Sequence, residues 1–339
     1  MVTLKDIAKE CGVSFSTVSK ALQGSSEISS ETIKLIQQKA QDMGYHPNIA
    51  ARTLRTNRTN DIGVIFEDKT GSGFQHQYFA KIISGIQQAA QEHNFDVTFT
   101  GPGTNSTYDY YKHIMGKSFD GIIILSADFT RPDLQQLIKS GIPTATLDYS
   151  YDSNHISILS DNRQGMSELT KYVISKGHTK ISMIYGEDTL VTKERKECFL
   201  EILKENSIDI PKEYLVQCRY HDPDLSEKTT KQLLSLPEPP TCIFFPDDYS
   251  ALGGIKVINE RGLTIGSDIS IVGYDGIMLT SMLIPPLTTF EQDGVEIGKK
   301  MTSLLIKNIE NKTEPIQGPI TISGRMLAGG TVADLKSSR

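Results

Sequence analysis

The sequence predicts a small all-α headpiece followed by an α/β core of two doubly wound lobes. A change of texture along the chain carries that reading. Residues 1–46 hold short amphipathic stretches separated by tight turns. From Asp61 onward apolar strands alternate with helical segments at intervals of roughly 20 to 35 residues. Many of the strands are β-branched runs free of polar residues, as strands buried on both faces require. About 270 residues of this pattern exceed one doubly wound domain, so two lobes are expected. Pro47–Asn60, rich in Ala, Arg, Thr and Asn, reads as a linker between the two textures.

In the headpiece, Thr3 with Asp6 three residues on has the spacing of a capping box. Leu4, Ile7, Ala8 and Cys11 then fall on one helical face. Gly12 supplies a left-handed turn, Ser14 an N-cap, and Val18, Ala21 and Leu22 the inner side of a second helix. A third helix over Ser30–Met43 runs through Ile33, Ile36 and Ala40. Small Ala8, turn Gly12 and apolar Val18 have helix-turn-helix spacing over Leu4–Gln23. Such a motif inserts the N-terminal end of its second helix into the major groove of DNA. Phe15, Ser16 and Lys20 are therefore assigned to base edges, and Ser14, Thr17 and Ser19 to phosphates. A three-helix bundle with a merely polar outer face is the competing reading.

In the core, strands are expected at Ile62–Phe66, Asp96–Thr100, Gly121–Ser126, Thr144–Asp148, Ile156–Ser160, Lys180–Tyr185, Cys242–Phe245 and Ile269–Gly273. Helices are expected at Phe79–Glu92, Arg163–Lys176, Lys193–Glu205 and Tyr249–Glu260. Open α/β sheets bind ligands beyond the carboxyl ends of their strands. The residues just past these strands include Glu67–Phe79, Ser126–Asp128, Asp148, Gly186–Arg195, Asp247–Asp248 and Tyr274–Asp275. Polar groups thus converge from both halves of the core on a cleft between the lobes.

Composition removes other classes. No apolar run is long enough to span a bilayer, and Lys5, Asp6, Lys9 and Glu10 interrupt any secretory signal. Cys11, Cys198, Cys218 and Cys242 form no CxxC pair, so reduced thiols in a cytoplasm are expected rather than a disulfide framework or a zinc site. No nucleophile elbow, P-loop or HExxH motif is present, and neither an enzyme nor a cofactor is expected. The net charge of −6 argues against an indiscriminate nucleic-acid coat, yet it is unevenly spread. Residues 1–60 hold eight Lys and Arg against five acids, a charge of +3, which leaves −9 for the other 279.

With these features in place, the chain resembles the LacI/GalR family of bacterial transcription regulators. The carrying segments are TLKDIAKECGVSFSTVSKAL (3–22), ISSETI (28–33) and MGYHPNIAARTLRT (43–56). In the core they are DGIIIL (120–125), DNRQG (161–165), GHTKI (177–181), ERGLTIGSDISIVGYD (260–275) and PPLTTFEQ (285–292). The resemblance implies a periplasmic-binding-protein-like core whose chain crosses between lobes near Ile158, Thr289 and Ile320. The expected units are a headpiece over 1–46, a hinge over 47–60, one lobe from 61–158 and 290–320, and a second from 159–289 and 321–339. It further implies a cytoplasmic, nucleoid-associated homodimeric repressor on a near-palindromic operator. A hinge helix over Asn48–Arg55 would add Asn48, Ala51 and a minor-groove wedge, Leu54, to the DNA contacts.

Effector contacts map by the same resemblance to Tyr78, Phe79, Asp148, Arg195, Asp247 and Asp275. Carboxylates, one guanidinium fork and aromatic faces suit a carbohydrate, and a single cation does not favour a phosphorylated one. Asp148 and Asp275 are also residue types that cap turns, and Phe79 one that fills cores. Several departures bear on ligand identity: the long Glu67–Phe79 loop, Asp247 and Pro246 where Asn and Ala are common, and Cys198 where Gly is common. Phe74 and His76 lie in that loop, as further contacts or as solvent-facing residues. Other readings are a global regulator activated by a phosphorylated carrier protein, a sugar-binding transport protein, and an enzyme.

Overall fold

The computed structural model describes residues 2–22, 25, 27–45, 58–67, 73–101, 108–151, 155–311 and 318–336. The chain folds as two compact units, 1–59 and 60–339.

Among its described residues the first unit holds three helices, α1 (Leu4–Cys11), α2 (Phe15–Leu22) and α3 (Ser30–Asp42). Thr3 and Asp6 form the reciprocal capping box, and Gly12 ends α1 at φ 65°. The Ser14 hydroxyl accepts from the Thr17 amide at 3.0 Å, starting α2. Ile7, Ala8, Val18, Ala21, Ile36 and Ala40 close into one small core. The spacing along α1 and α2 therefore becomes packing without rearrangement.

The second unit holds two parallel sheets. The first contains β1 (Asp61–Phe66), β2 (Asp96–Thr100), β3 (Gly121–Ser126), β4 (Thr144–Leu147), β5 (Ile156–Ser160) and β11 (Ile320–Ile322), in the order β11-β5-β4-β3-β1-β2. The second contains β6 (Ile181–Tyr185), β7 (Leu215–Gln217), β8 (Cys242–Phe244) and β9 (Ser270–Val272), in the order β7-β6-β8-β9. Apolar clusters line both faces of each sheet, which is why Ile122–Ile124 or Cys242–Phe244 can be buried without alternation. In each sheet the first strand has its successor on one side and the next strand on the other. The order reverses between β1 and β3 and between β6 and β8, where a crevice opens at the carboxyl ends.

On the first sheet lie α4 (Gln77–Glu92), α5 (Tyr110–Met115), α6 (Pro132–Ile138) and α11 (Gly294–Ile309). The second carries α7 (Asn162–Ser175), α8 (Leu190–Glu205), α9 (Pro223–Leu233) and α10 (Asp248–Glu260). A Cβ on Gly85 would stand 2.2 Å from the Val295 carbonyl oxygen, and one on Gly298 would stand 2.1 Å from that of Ile82. Helices α4 and α11 therefore meet backbone to backbone, which only glycine permits.

The chain passes between the sheets three times. β5 leads through Asp161 into α7, and β10 (Thr289–Glu291) leads through Gln292 and Asp293 into α11. β11 leads past Gly324 into β12 (Arg325–Leu327), which pairs antiparallel with β10. Several elements lack a strong sequence signature. β7, β10, β11 and β12, three residues each, are not among the expected strands, and α5, α6, α9 and α11 are not among the expected helices. The strand expected over Thr144–Asp148 ends at Leu147, because Asp148 turns into the left-handed region at φ 50°.

Candidate functional site

At the strand ends between the two sheets lies a cavity of 520 Å³. All six residues expected from the sequence line it: Tyr78 and Phe79 beyond β1, Asp148 beyond β4, Arg195 on α8, Asp247 beyond β8 and Asp275 beyond β9. Convergence follows from topology, since each residue sits at the carboxyl end of a parallel strand or on the helix that follows one.

Arg195 is buried yet has no ion-pair partner among the described residues. Its Nε donates to Asn162 Oδ1 at 2.8 Å, its Nη1 donates to the Pro246 carbonyl at 3.3 Å, and its guanidinium lies 3.5 Å from the Tyr274 ring centroid. Two neutral acceptors and an aromatic face hold the fork in place while leaving its charge unneutralised by any contact carboxylate. Such an arginine is preset to donate to a ligand.

The three aspartates differ. Asp247 caps α10, accepting from the Ser250 amide at 2.7 Å and its hydroxyl at 2.8 Å, and also from the His221 amide at 2.7 Å. Its carboxylate is thus largely committed within the protein. Asp148 accepts from the Ser160 amide at 2.7 Å and the Ser160 hydroxyl at 3.3 Å. Burial lifts its pKa to about 6, against the downward pull of Ser160 and Arg195. Asp275 accepts from the Gln292 side-chain amide at 2.7 Å, and burial lifts its pKa to about 7, opposed first by Arg195. Both carboxyls thus lie well above the ordinary range, yet Asp148 stays mostly ionised at neutral pH while Asp275 sits near its midpoint, and both can accept from ligand hydroxyls.

Several residues of the site are not among the six expected contacts. Tyr220 and Gln292 line the cavity, and Asn162 and Tyr274 set Arg195 in place. The Tyr220 hydroxyl shares a hydrogen bond with Thr192 at 2.8 Å, and its amide donates to Glu187 at 3.0 Å. Tyr220 follows β7, which is not among the expected strands, so periodicity does not reveal its position past a strand end. His76 lines the cavity, whereas Phe74 is exposed and packs edge-on against Phe99 at 4.8 Å.

In the first unit, Ser14, Phe15 and Ser16 are exposed at the start of α2, and Thr17 and Lys20 are half-buried. Ser19 corrects the expectation of an outward side chain: it is only 9% exposed. It follows Val18 directly and precedes Leu22 by one turn, so it lies at the margin of the inner arc. The Lys20 ammonium pairs with Glu27. Asn48, Ala51 and Leu54, expected in the hinge, lie outside the described residues.

Among the described residues no helix is long and apolar enough to cross a membrane, and no cluster of His, Cys, Asp and Glu could hold a metal ion. The four cysteines are free, three of them buried.

Comparison with known proteins agrees with both units. Residues 3–48 match the family model "Bacterial regulatory proteins, lacI family", and residues 170–332 match "Periplasmic binding protein-like domain". The HTH-type transcriptional repressor PurR of Pasteurella multocida is 32% identical over 93% of this chain and 94% of its own length. The "Probable HTH-type transcriptional repressor ExuR" of Bacillus subtilis is 34% identical over 93% of this chain and 95% of its own. Among solved structures, the lac repressor dimer bound to operator and the anti-inducer ONPF superposes with a TM-score of 0.82. It is 24% identical and covers 98% of this chain and 99% of that one. The chain belongs to the LacI family of bacterial regulatory proteins, whose members are DNA-binding transcriptional repressors and not enzymes.

Proposed function

We propose that this repressor acts as a homodimer on a near-palindromic operator in the cytoplasm and releases it when a carbohydrate occupies the cleft between its lobes. The observation that carries the effector reading is Arg195, held by Asn162, Pro246 and Tyr274 and facing a cavity shared with Asp148 and Asp275. A guanidinium fork and two carboxylates supply directional donors and acceptors for hydroxyls, while Tyr78, Phe79 and Tyr220 offer apolar faces for sugar C–H groups. Phe15 and Ser16, exposed at the start of α2, would read base edges together with Lys20, while exposed Ser14 would contact phosphate. Asn48, Ala51 and Leu54 would then place the hinge in the central minor groove, with Leu54 as the wedge.

Dimerisation is supported by Met278, Met282 and Ile284, which lie within one short segment after β9 and are 66%, 63% and 100% exposed. Large apolar side chains grouped on one loop favour an apolar partner surface, and a twofold dimer matches a two-half-site operator. Effector binding would change the equilibrium between lobe arrangements and, through it, operator affinity. A gel-shift assay on operator DNA selected from random sequence, titrated with sugars, tests the whole reading. Operator release by a sugar, lost in Arg195→Ala with basal DNA binding intact, is the expected result. Release that survives Arg195→Ala would remove the cleft from the mechanism.

A further inference from the structure

We infer that the effector is uncharged and at least two sugar rings long. This inference rests on the carbohydrate reading above and narrows it. It follows from the charge of the cavity wall and from the order of the strands that form the cavity floor.

Charge comes first. Besides Asp148, Asp247 and Asp275, the described lining includes Glu67, Asp128, Glu187 and Asp188. Arg195 is the one Lys or Arg side chain among the described lining residues, and two of its nitrogens already hold protein acceptors. An anionic sugar, whether a uronate or a sugar phosphate, would meet one cation and a surplus of carboxylates. In a partly dehydrated cleft such repulsion is far stronger than in water. Hydroxyls meet no such penalty, since carboxylate oxygens with spare acceptor capacity take hydrogen bonds from them.

Length follows from topology. In the first sheet the cavity is lined beyond β1, β3 and β4, which are consecutive in the order β4-β3-β1. Two strand spacings give a floor about 10 Å wide on that side. In the second sheet it is lined beyond all four strands, β7-β6-β8-β9, and three spacings give about 14 Å. A single hexose fills about half of the shorter span. Each end of the first floor has its own aromatic wall. Tyr78 and Phe79 stand beyond β1. Phe129 and Tyr149 stand beyond β3 and β4, stacked with centroids 4.0 Å apart and planes at 3°. The Gln135 side-chain amide holds that second pair in place, donating to the Phe129 carbonyl at 2.7 Å and to the Tyr149 hydroxyl at 2.8 Å. One wall suits the ring beside Arg195, and the other suits a second ring toward Asp128.

Calorimetric titration of the full-length protein tests this, using cellobiose, maltose and lactose against glucose, galactose, galacturonate, glucose 6-phosphate and hypoxanthine. At least one neutral disaccharide is expected to bind roughly tenfold or more tighter than any monosaccharide or anionic sugar. The double variant Glu187→Gln/Asp188→Asn should narrow the gap between neutral and anionic sugars. Phe129→Ala, with an unchanged melting temperature, should weaken the disaccharide and leave the monosaccharides as they were. A monosaccharide or galacturonate binding as tightly as the best disaccharide overturns the inference while leaving the carbohydrate reading intact. Binding of hypoxanthine alone, or of no sugar at millimolar concentration, overturns both.

Discussion

The imidazole rings of His76 and His221 stack across the cleft, with centroids 4.2 Å apart and planes at 21°. His76 precedes α4 on the first sheet, and His221 follows β7 on the second. Tyr249, at the start of α10, extends the stack at 4.0 Å from His221. The three rings form a direct side-chain bridge between the lobes, next to the Asp247 carboxylate that accepts from the His221 amide.

That bridge should favour the closed cleft. His221 has φ 55°, so Asn is the substitution that removes the ring without straining the turn. Aromatic pairs contribute about 0.5–1.5 kcal/mol beyond the area they bury. His221→Asn is therefore expected to weaken effector binding roughly three- to tenfold and, because it shifts the lobes toward the open arrangement, not to weaken operator binding when no effector is present. Calorimetry and gel shifts on the same preparation check both halves.

Asp148 and Asp275 should make stability depend on pH. Both carboxyls are lifted by burial, to about 6 and about 7, from an ordinary value near 3.8. The folded state therefore holds protons that the unfolded chain gives up, so stability is greatest below about pH 4 and falls as pH rises through 6 to 7. Other acids superimpose their own slopes, so the contribution is isolated by substitution. Asp275→Asn should flatten the decline between pH 5 and 8 and raise stability at pH 8 by on the order of 1–2 kcal/mol. Thermal melts of both proteins across that range measure it, and parallel curves would show that Asp275 is not the titrating group.

Effector affinity should carry the opposite sign. Ligand hydroxyls that donate to Asp148 and Asp275 favour the ionised carboxylates, so binding expels protons. Affinity for a neutral effector is expected to rise from pH 5.5 to pH 8, and the rise should shrink in Asp275→Asn. Titrations in two buffers of different ionisation enthalpy would count the protons released.

In the headpiece, the exposed Lys20–Glu27 pair sets the position of a base-reading candidate. Pairs of this kind contribute about 0.2–1 kcal/mol. Glu27→Gln should release the ammonium and raise operator affinity about two- to fivefold at low salt, whereas Lys20→Ala should lower it. Fluorescence anisotropy over a salt series distinguishes this from a general charge effect, because Lys20→Ala should also reduce the salt slope by about one.

Periodicity and turn chemistry are enough to place the headpiece helices, eight of the core strands and the segments just past their ends, whereas the six individual cleft residues within those segments come from the family resemblance. The elements and segments rest on local rules: a capping box at Thr3, a left-handed Gly12, unbroken β-branched runs, and polar residues just past strand ends. Ser19 shows where such rules stop. A residue at the edge of a helical arc is turned in or out by its neighbours in space, and spacing along one helix does not contain them. The partners of Arg195 show the same limit on a larger scale, since Asn162 and Pro246 lie 33 and 51 residues away and meet it only when α7, α8 and the end of β8 pack together. The width of the cavity, too, depends on strand order, in which β4, β3 and β1 are neighbours although the chain visits them in another sequence. Local pattern specifies what each segment becomes, because backbone hydrogen bonding and side-chain period act over a few residues. Which charges share a wall, and how much room they leave, is decided by contacts between segments far apart in the chain.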